Sequence, residues 1–124
     1  MHRIALCSAI RRTLFGVFAA ATFALPVWAS RSTDLQEQIS ALADKAHEHE
    51  MQADQAAKSG DSASACSHWR QAADAWREAA SAGTSLIVET LNDGSLDPDS
   101  VNENVHIMAN NAESDDQSAE AVCH

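Results

Sequence analysis

The sequence contains no tyrosine and only two prolines, four glycines and three tryptophans. Its three phenylalanines all lie before residue 24, so Trp69 and Trp76 are the only large aromatic side chains after residue 29. Leu, Ile and Val together supply 12 of the 95 residues from Ser30 to His124, and alanine is abundant instead. A chain with so few large apolar side chains buries little area per residue, so a domain of this size is marginal without a covalent staple.

Basic residues are also scarce after residue 29. That part of the chain holds five Lys and Arg against all 18 Asp and Glu, a formal net charge of −13, and no Lys or Arg follows Arg77. The negative electrostatic field of such a chain repels nucleic acids and anionic lipid surfaces and favours the binding of basic proteins or cations. We therefore expect no nucleic-acid partner and favour a basic protein partner.

The first 29 residues have the composition of a secretory leader. Met1–Arg12 carries three arginines and no acid, and Thr13–Leu25 is a short uncharged apolar run. Pro26 then precedes Val27-Trp28-Ala29, which places small residues at positions −3 and −1 of a cleavage site. The pattern predicts a cleavable signal peptide over residues 1–29, a mature chain of residues 30–124, a periplasmic or secreted location and no stable membrane anchor after cleavage. The general secretory route is preferred, and Arg11-Arg12 leaves the twin-arginine route open.

The cysteines predict a disulfide. Cys7 would leave with the leader, so Cys66 and Cys123 remain as an even pair in an exported chain. Closing a loop of this length constrains the unfolded chain by ~4 kcal/mol in the loop-entropy model.

Helical periodicity runs through most of the mature chain, and we predict helices over about 34–58, 62–81, 84–92 and 98–112, with a short turn over 118–123. The first helix carries a heptad-like apolar seam: Leu35, Ile39, Leu42, Ala46, His49, Ala53 and Ala56. Gly60 ends it, and Asp61 or Ser62 caps the next helix, so the first two helices form an antiparallel hairpin. Gly83 and the polar run 113–117 are predicted breaks. The fold class is therefore a small, single-domain, all-α bundle of four to five helices, stapled by the disulfide.

The hairpin resembles one tetratricopeptide repeat over about 30 residues. Gly60-Asp61 stands at the repeat's turn, and a small residue, an aromatic and a second small residue follow as Ala65, Trp69 and Ala72. The preceding helix lacks the repeat's aromatic and Leu-Gly positions, Arg77 replaces its terminal proline, and no second copy follows. The resemblance implies a peptide-binding or protein-binding surface and no catalysis.

A helix carrying both tryptophans suggests a protein–protein contact. Trp69 and Trp76 share one helical stripe, and such a stripe is more often core than contact. If the outer groove of the hairpin is open, one of the tryptophans anchors a partner, and with Arg70 and Asp74 these four residues are the predicted partner contacts. The chain has no nucleophile–base constellation and no phosphate-cradling glycine loop, so we expect no enzyme. The predicted function is an exported interaction module of the inhibitor, immunity-type or adaptor class. A structural helical spacer is an alternative.

A second alternative is a periplasmic metal-binding protein. His47, His49, Glu50 and Met51 are ligand-type residues close in sequence. Residues two apart on a helix point in nearly opposite directions, which argues against a local chelate. Cys66 with His68, and Cys123 with His124, would join such a site only if the thiols are free, and no cofactor is expected.

Overall fold

The computed structural model describes residues 30–124, and this region folds into three long helices. They are α1 (Ser30–Lys58), α2 (Ser62–Asp93) and α3 (Pro98–Val122). This portion is all-α, as predicted, but the count of four to five helices is not confirmed. The predicted signal segment, residues 1–29, lies outside the described residues. No helix from residue 30 onward is long and apolar enough to cross a membrane.

Local capping chemistry sets both turns. Gly60 and Gly94 adopt positive φ angles of 77° and 68°, a conformation that glycine reaches without a Cβ penalty. Asp61 caps α2 by accepting a hydrogen bond from the Ser64 amide at 3.0 Å. Asp97 caps α3 in the same way, directly ahead of Pro98. The turns are short, so consecutive helices pack antiparallel.

The middle helix, α2, packs against both α1 and α3. It is therefore buried on two sides, and small residues make most of its buried surface: Ala65, Ala72, Ala73, Ala75, Ala79, Ala82 and Gly83. Trp76 and Leu86 are the large buried side chains of this helix, at 2% and 0% exposed. Small residues let the three backbones approach closely, which explains how a chain with few large aliphatics builds a core.

Gly83 lies inside α2, where the sequence predicted a break between two helices. A Cβ placed on Gly83 would lie 2.7 Å from Val105 Cγ2 and 3.1 Å from Met108 Cε of α3. The glycine therefore serves the close approach of α2 and α3. A glycine inside a helix costs about 1 kcal/mol of stability relative to alanine. The close packing of α2 against α3 outweighs this cost.

The polar run 113–117, predicted as a turn, is also helical, and α3 continues to Val122. It contains no glycine or proline to stop the helix. Ala112, Asp115 and Ala119 are all buried and follow one another at helical spacing. The helix is therefore fixed by packing on both sides of the polar run.

The disulfide and polar contacts tie the ends of the bundle. Cys66, near the start of α2, pairs with Cys123 at the end of α3, with Cα atoms 5.1 Å apart. At the opposite end of α2, Asp93 accepts a hydrogen bond from Ser32 at 2.8 Å. Arg31 pairs with Glu89 at 3.3 Å on the same α1–α2 side. Both ends of α2 are thus held to a neighbouring helix.

Candidate functional site

A polar cluster occupies the place where all three helices meet. Glu50 of α1 accepts a hydrogen bond from the Trp76 indole Nε1–H of α2 at 2.8 Å. Its other oxygen lies 2.8 Å from His47 Nδ1. The His47 ring also packs edge-on against Trp76, with centroids 5.0 Å apart. The carboxylate of Glu50 is therefore held by two donors in fixed positions.

Asp115 of α3 completes this cluster. Its side chain is 6% exposed and hydrogen-bonds to Glu50, while its Oδ2 atom has no hydrogen-bond donor. Asp115 is buried and the Glu50 side chain is partly buried, with 25% exposed, and two neighbouring carboxyl groups in such a setting hold one proton between them, because two adjacent negative charges repel. Asp115 therefore carries the proton and donates to Glu50.

The pKa values of the two acids move in opposite directions. Burial, the charge of Glu50 and the hydrogen bond between the acids raise the pKa of Asp115 to about 8. Burial also raises the pKa of Glu50, but hydrogen bonds from His47 and Trp76, the charge of His47 and the bond with Asp115 outweigh burial. The pKa of Glu50 consequently lies below its usual value. Near neutral pH the pair is one acid and one carboxylate.

An acid beside a carboxylate is an arrangement that also serves general acid–base catalysis. Here both partners of Glu50 in the neighbouring helices are buried, with Trp76 at 2% and Asp115 at 6% exposed. The Glu50 side chain itself is 25% exposed at the edge of the cluster. The cluster therefore joins α1, α2 and α3 through hydrogen bonds.

The structure does not bring the four residues of the predicted metal site together at one point. His47 and Glu50 bind each other beside Trp76. His49 faces α2, and Met51 is 63% exposed. Across residues 30–124, no group of three or more His, Cys, Asp and Glu side chains is arranged to hold a metal ion.

His49 meets His68 of α2 instead. The two Nδ1 atoms lie 3.2 Å apart, and the rings are inclined by 29° with centroids 5.4 Å apart. Each Nδ1 atom therefore lies on the side of its ring that faces the other. One nitrogen donates a proton and the other accepts it, since each neutral imidazole has one donor and one acceptor.

The predicted partner contacts have different surroundings. Trp76 belongs to the core, so its side chain offers almost no surface, whereas Trp69 is half-buried. Arg70 and Asp74 are exposed. Asp74 binds Arg77 at 3.0 Å. Of the four residues, Trp76 is the one that a partner cannot reach in this conformation.

Arg77 links α2 to α3 across a shallow groove. It binds Asp74 on its own helix and Asp116 on α3. The groove has a volume of about 300 Å³ and is open to solvent, and Ala109 and Glu113 of α3 also line it. Its one basic side chain is thus already paired with two carboxylates.

The outer face of α3 carries an acidic stripe. Seven exposed residues follow one another at alternating spacings of four and three, which places them along one side of the helix: Asp99, Glu103, His106, Asn110, Glu113, Gln117 and Glu120. Four of them are carboxylates, and α3 contains no Lys or Arg. The exposed faces of α1 and α2 instead mix both signs, with Lys45 and Lys58 on α1 and Arg70 and Arg77 on α2.

Sequence reasoning missed Asp115 and the acidic stripe. Val101, Val105, Met108 and Ala112 follow one another at helical spacing, and the same spacing continues to Asp115 and Ala119. That continuation was the available signal for a buried acid. The residues on the opposite side of the same helix, which form the acidic stripe, gave the corresponding signal for the acidic face.

Comparison with known proteins yields no match: no protein-family model fits the chain, and no curated protein or solved structure matches it significantly. The resemblance to a tetratricopeptide hairpin remains a prediction.

Proposed function

We propose that the chain is an exported interaction protein that binds a basic segment of another protein along the outer face of α3. The observation that carries this proposal is the acidic stripe, with four exposed carboxylates on a helix that has no Lys or Arg. The leader-like residues 1–29 and the pairing of Cys66 with Cys123 support export.

The geometry of the stripe suits a long, narrow contact. From Asp99 to Glu120 the helix rises roughly 30 Å, at 1.5 Å per residue. A helix or extended segment with Lys and Arg at similar intervals would meet successive carboxylates of the stripe. Charge complementarity of this kind raises association rates and selects against acidic partners.

The rest of the bundle provides a rigid support for this face. The inner side of α3 is anchored by the packing of Gly83 against Val105, by Asp115 in the polar cluster and by the disulfide at Cys123. A preorganised helix loses little conformational entropy on binding. Inhibitor, immunity-type and adaptor roles are all consistent with such a surface, and the identity of the partner selects among them.

A photo-crosslinking side chain at Asn110, an uncharged position within the stripe, tests the proposal. The matched control carries the same side chain at Gln38, an exposed position on α1. We expect an adduct in the exported fraction of the source cells at Asn110 and not at Gln38. Mass spectrometry of the adduct should place the attachment in a Lys/Arg-rich segment.

Two outcomes would reject this function. An adduct at Gln38 alone would place the contact on another face. Absence of any protein adduct at either position would favour the structural-spacer alternative. Export is tested separately by the intact mass of the natural protein, which should match residues 30–124 and be two hydrogens lighter before reduction than after it.

A further inference from the structure

We propose that His49 and His68 form a two-histidine site for a late transition-metal ion, Zn²⁺, Ni²⁺ or Cu²⁺, that bridges α1 and α2. This site differs from the predicted cluster of His47, His49, Glu50 and Met51, because it takes one ligand from each of two helices.

The distance between the nitrogens suits such an ion. Two imidazole nitrogens bound to zinc at 2.0–2.1 Å with a tetrahedral angle are roughly 3.3–3.4 Å apart. His49 Nδ1 and His68 Nδ1 are 3.2 Å apart, so a small outward shift of the two rings admits the ion. The hydrogen-bond geometry directs a ring nitrogen of one histidine towards that of the other, and the ion would sit between the two Nδ1 atoms.

The backbone beneath the pair is well supported. His49 belongs to α1 between the buried Ala46 and Ala53, and His68 lies two residues after the disulfide-bonded Cys66. Two rigid helices hold the ligands in place, which reduces the entropy lost when the ion binds. Both histidines are partly exposed, so water can fill the remaining coordination positions.

The protonation chemistry of the free pair is compatible with metal binding. One histidine holds its proton on Nδ1 in the free pair and donates it to the other. When the ion binds both Nδ1 atoms, that proton moves to Nε2 of the same ring, and both imidazoles stay neutral. Imidazole ligands select Zn²⁺, Ni²⁺ and Cu²⁺ over Mg²⁺ and Ca²⁺, which prefer oxygen.

Thermal unfolding of the disulfide-bonded chain with added ZnCl₂ or NiCl₂ tests the site. An ion that binds only the folded state raises the melting temperature in a saturable way. We expect this rise in the wild type and in His106→Gln, which removes a lone exposed histidine of α3. We expect His49→Gln or His68→Gln to weaken the apparent affinity at least tenfold, and MgCl₂ to have no effect.

His47→Gln separates this site from the predicted cluster, since it should retain the metal response. The proposal is wrong if the wild type shows no rise, if both His49→Gln and His68→Gln keep the full rise, or if His47→Gln alone loses it. A measurement on the wild type needs no variant: sub-stoichiometric Cu²⁺ should broaden the imidazole NMR signals of His49 and His68 before those of His106. Equal broadening at all three would likewise overturn the proposal.

Discussion

Replacing Asp115 with asparagine should abolish most of the pH dependence of stability between pH 5 and pH 8. Asparagine is nearly the same size as aspartic acid and keeps a hydrogen-bond donor for Glu50, but it does not ionise. In the wild type, the pKa of Asp115 is raised from 3.8 to about 8 by burial, by the charge of Glu50 and by the hydrogen bond between the acids. The folded state therefore retains a proton that the unfolded chain has already lost.

The direction of the effect follows from that difference in proton binding. The contribution of protonated Asp115 to the unfolding free energy is fully present below pH 3.8, and it is lost progressively as the pH rises towards 8. One proton corresponds to a slope of about 1.4 kcal/mol per pH unit, so the unfolding free energy should fall by up to about 4 kcal/mol between pH 5 and pH 8. The lowered pKa of Glu50 acts below its usual 4.5 and in the opposite sense, so it does not mask this window.

Urea unfolding at half-unit pH steps measures the effect, with Asp116→Asn as the control. Asp116 is a neighbouring acid that pairs with Arg77 nearer the surface. Asp115→Asn leaves one amide hydrogen of the new side chain without an assigned acceptor, which costs about 1–3 kcal/mol at low pH. The wild-type and Asp115→Asn curves should therefore cross, with the variant more stable at pH 8. Parallel curves for the two proteins would refute the shared proton.

Further substitutions at the disulfide, at Gly83 and at Trp76 test the packing account. Replacing both Cys66 and Cys123 with serine should lower the unfolding free energy by ~4 kcal/mol, because the released loop spans most of α2 and α3. Gly83→Ala should destabilise by ~1 kcal/mol, since a steric cost of about 1–3 kcal/mol against Val105 exceeds the gain in helix propensity. Introducing Val105→Ala into the Gly83→Ala variant should lower the unfolding free energy by less than introducing Val105→Ala into the wild type. Trp76→Phe keeps the ring but removes the indole donor to the polar cluster, and it should cost ~1–3 kcal/mol. Chemical denaturation measures each.

Each result has an outcome that would contradict it. Equal stability of the oxidised wild type and the serine variant would show that the cysteine pair does not constrain the fold. A stabilising Gly83→Ala would mean that α2 and α3 lie farther apart than the structure has them. A Trp76→Phe variant as stable as the wild type at pH 7 would show that the hydrogen bond from Trp76 to the Glu50 carboxylate does not stabilise the fold.

Local sequence signals predicted the two turns and the inner faces of the helices. Gly60-Asp61 acts at short range, and the structure has it at the turn between α1 and α2, while the helix predicted from residue 98 begins at Pro98. The seam of α1 is buried at Ile39, Ala46 and Ala53. The same local signals gave too many helices. Whether Gly83 interrupts a helix depends on what α3 places against it, and that information lies more than 20 residues away.

The candidate site was harder to predict for a similar reason. Asp115 carries a polar side chain, and its role depends on Glu50 and Trp76 from two other helices. The contact between His49 and His68 likewise requires the relative register of α1 and α2. The disulfide was predictable because only two cysteines lie outside the predicted leader, so each has one partner choice.

The affinity of the captured partner for two charge variants tests the functional account most directly. The first neutralises the stripe with Asp99→Asn, Glu103→Gln, Glu113→Gln and Glu120→Gln. The second makes the same change in net charge on α1 with Asp34→Asn, Glu37→Gln, Glu48→Gln and Asp54→Asn. Four exposed charge pairs at about 0.2–1 kcal/mol each predict a weakening of between about fourfold and several hundredfold for the first variant at low salt. Calorimetric titration should show the α1 variant within a few-fold of the wild type, and equal weakening by both variants would contradict binding along α3.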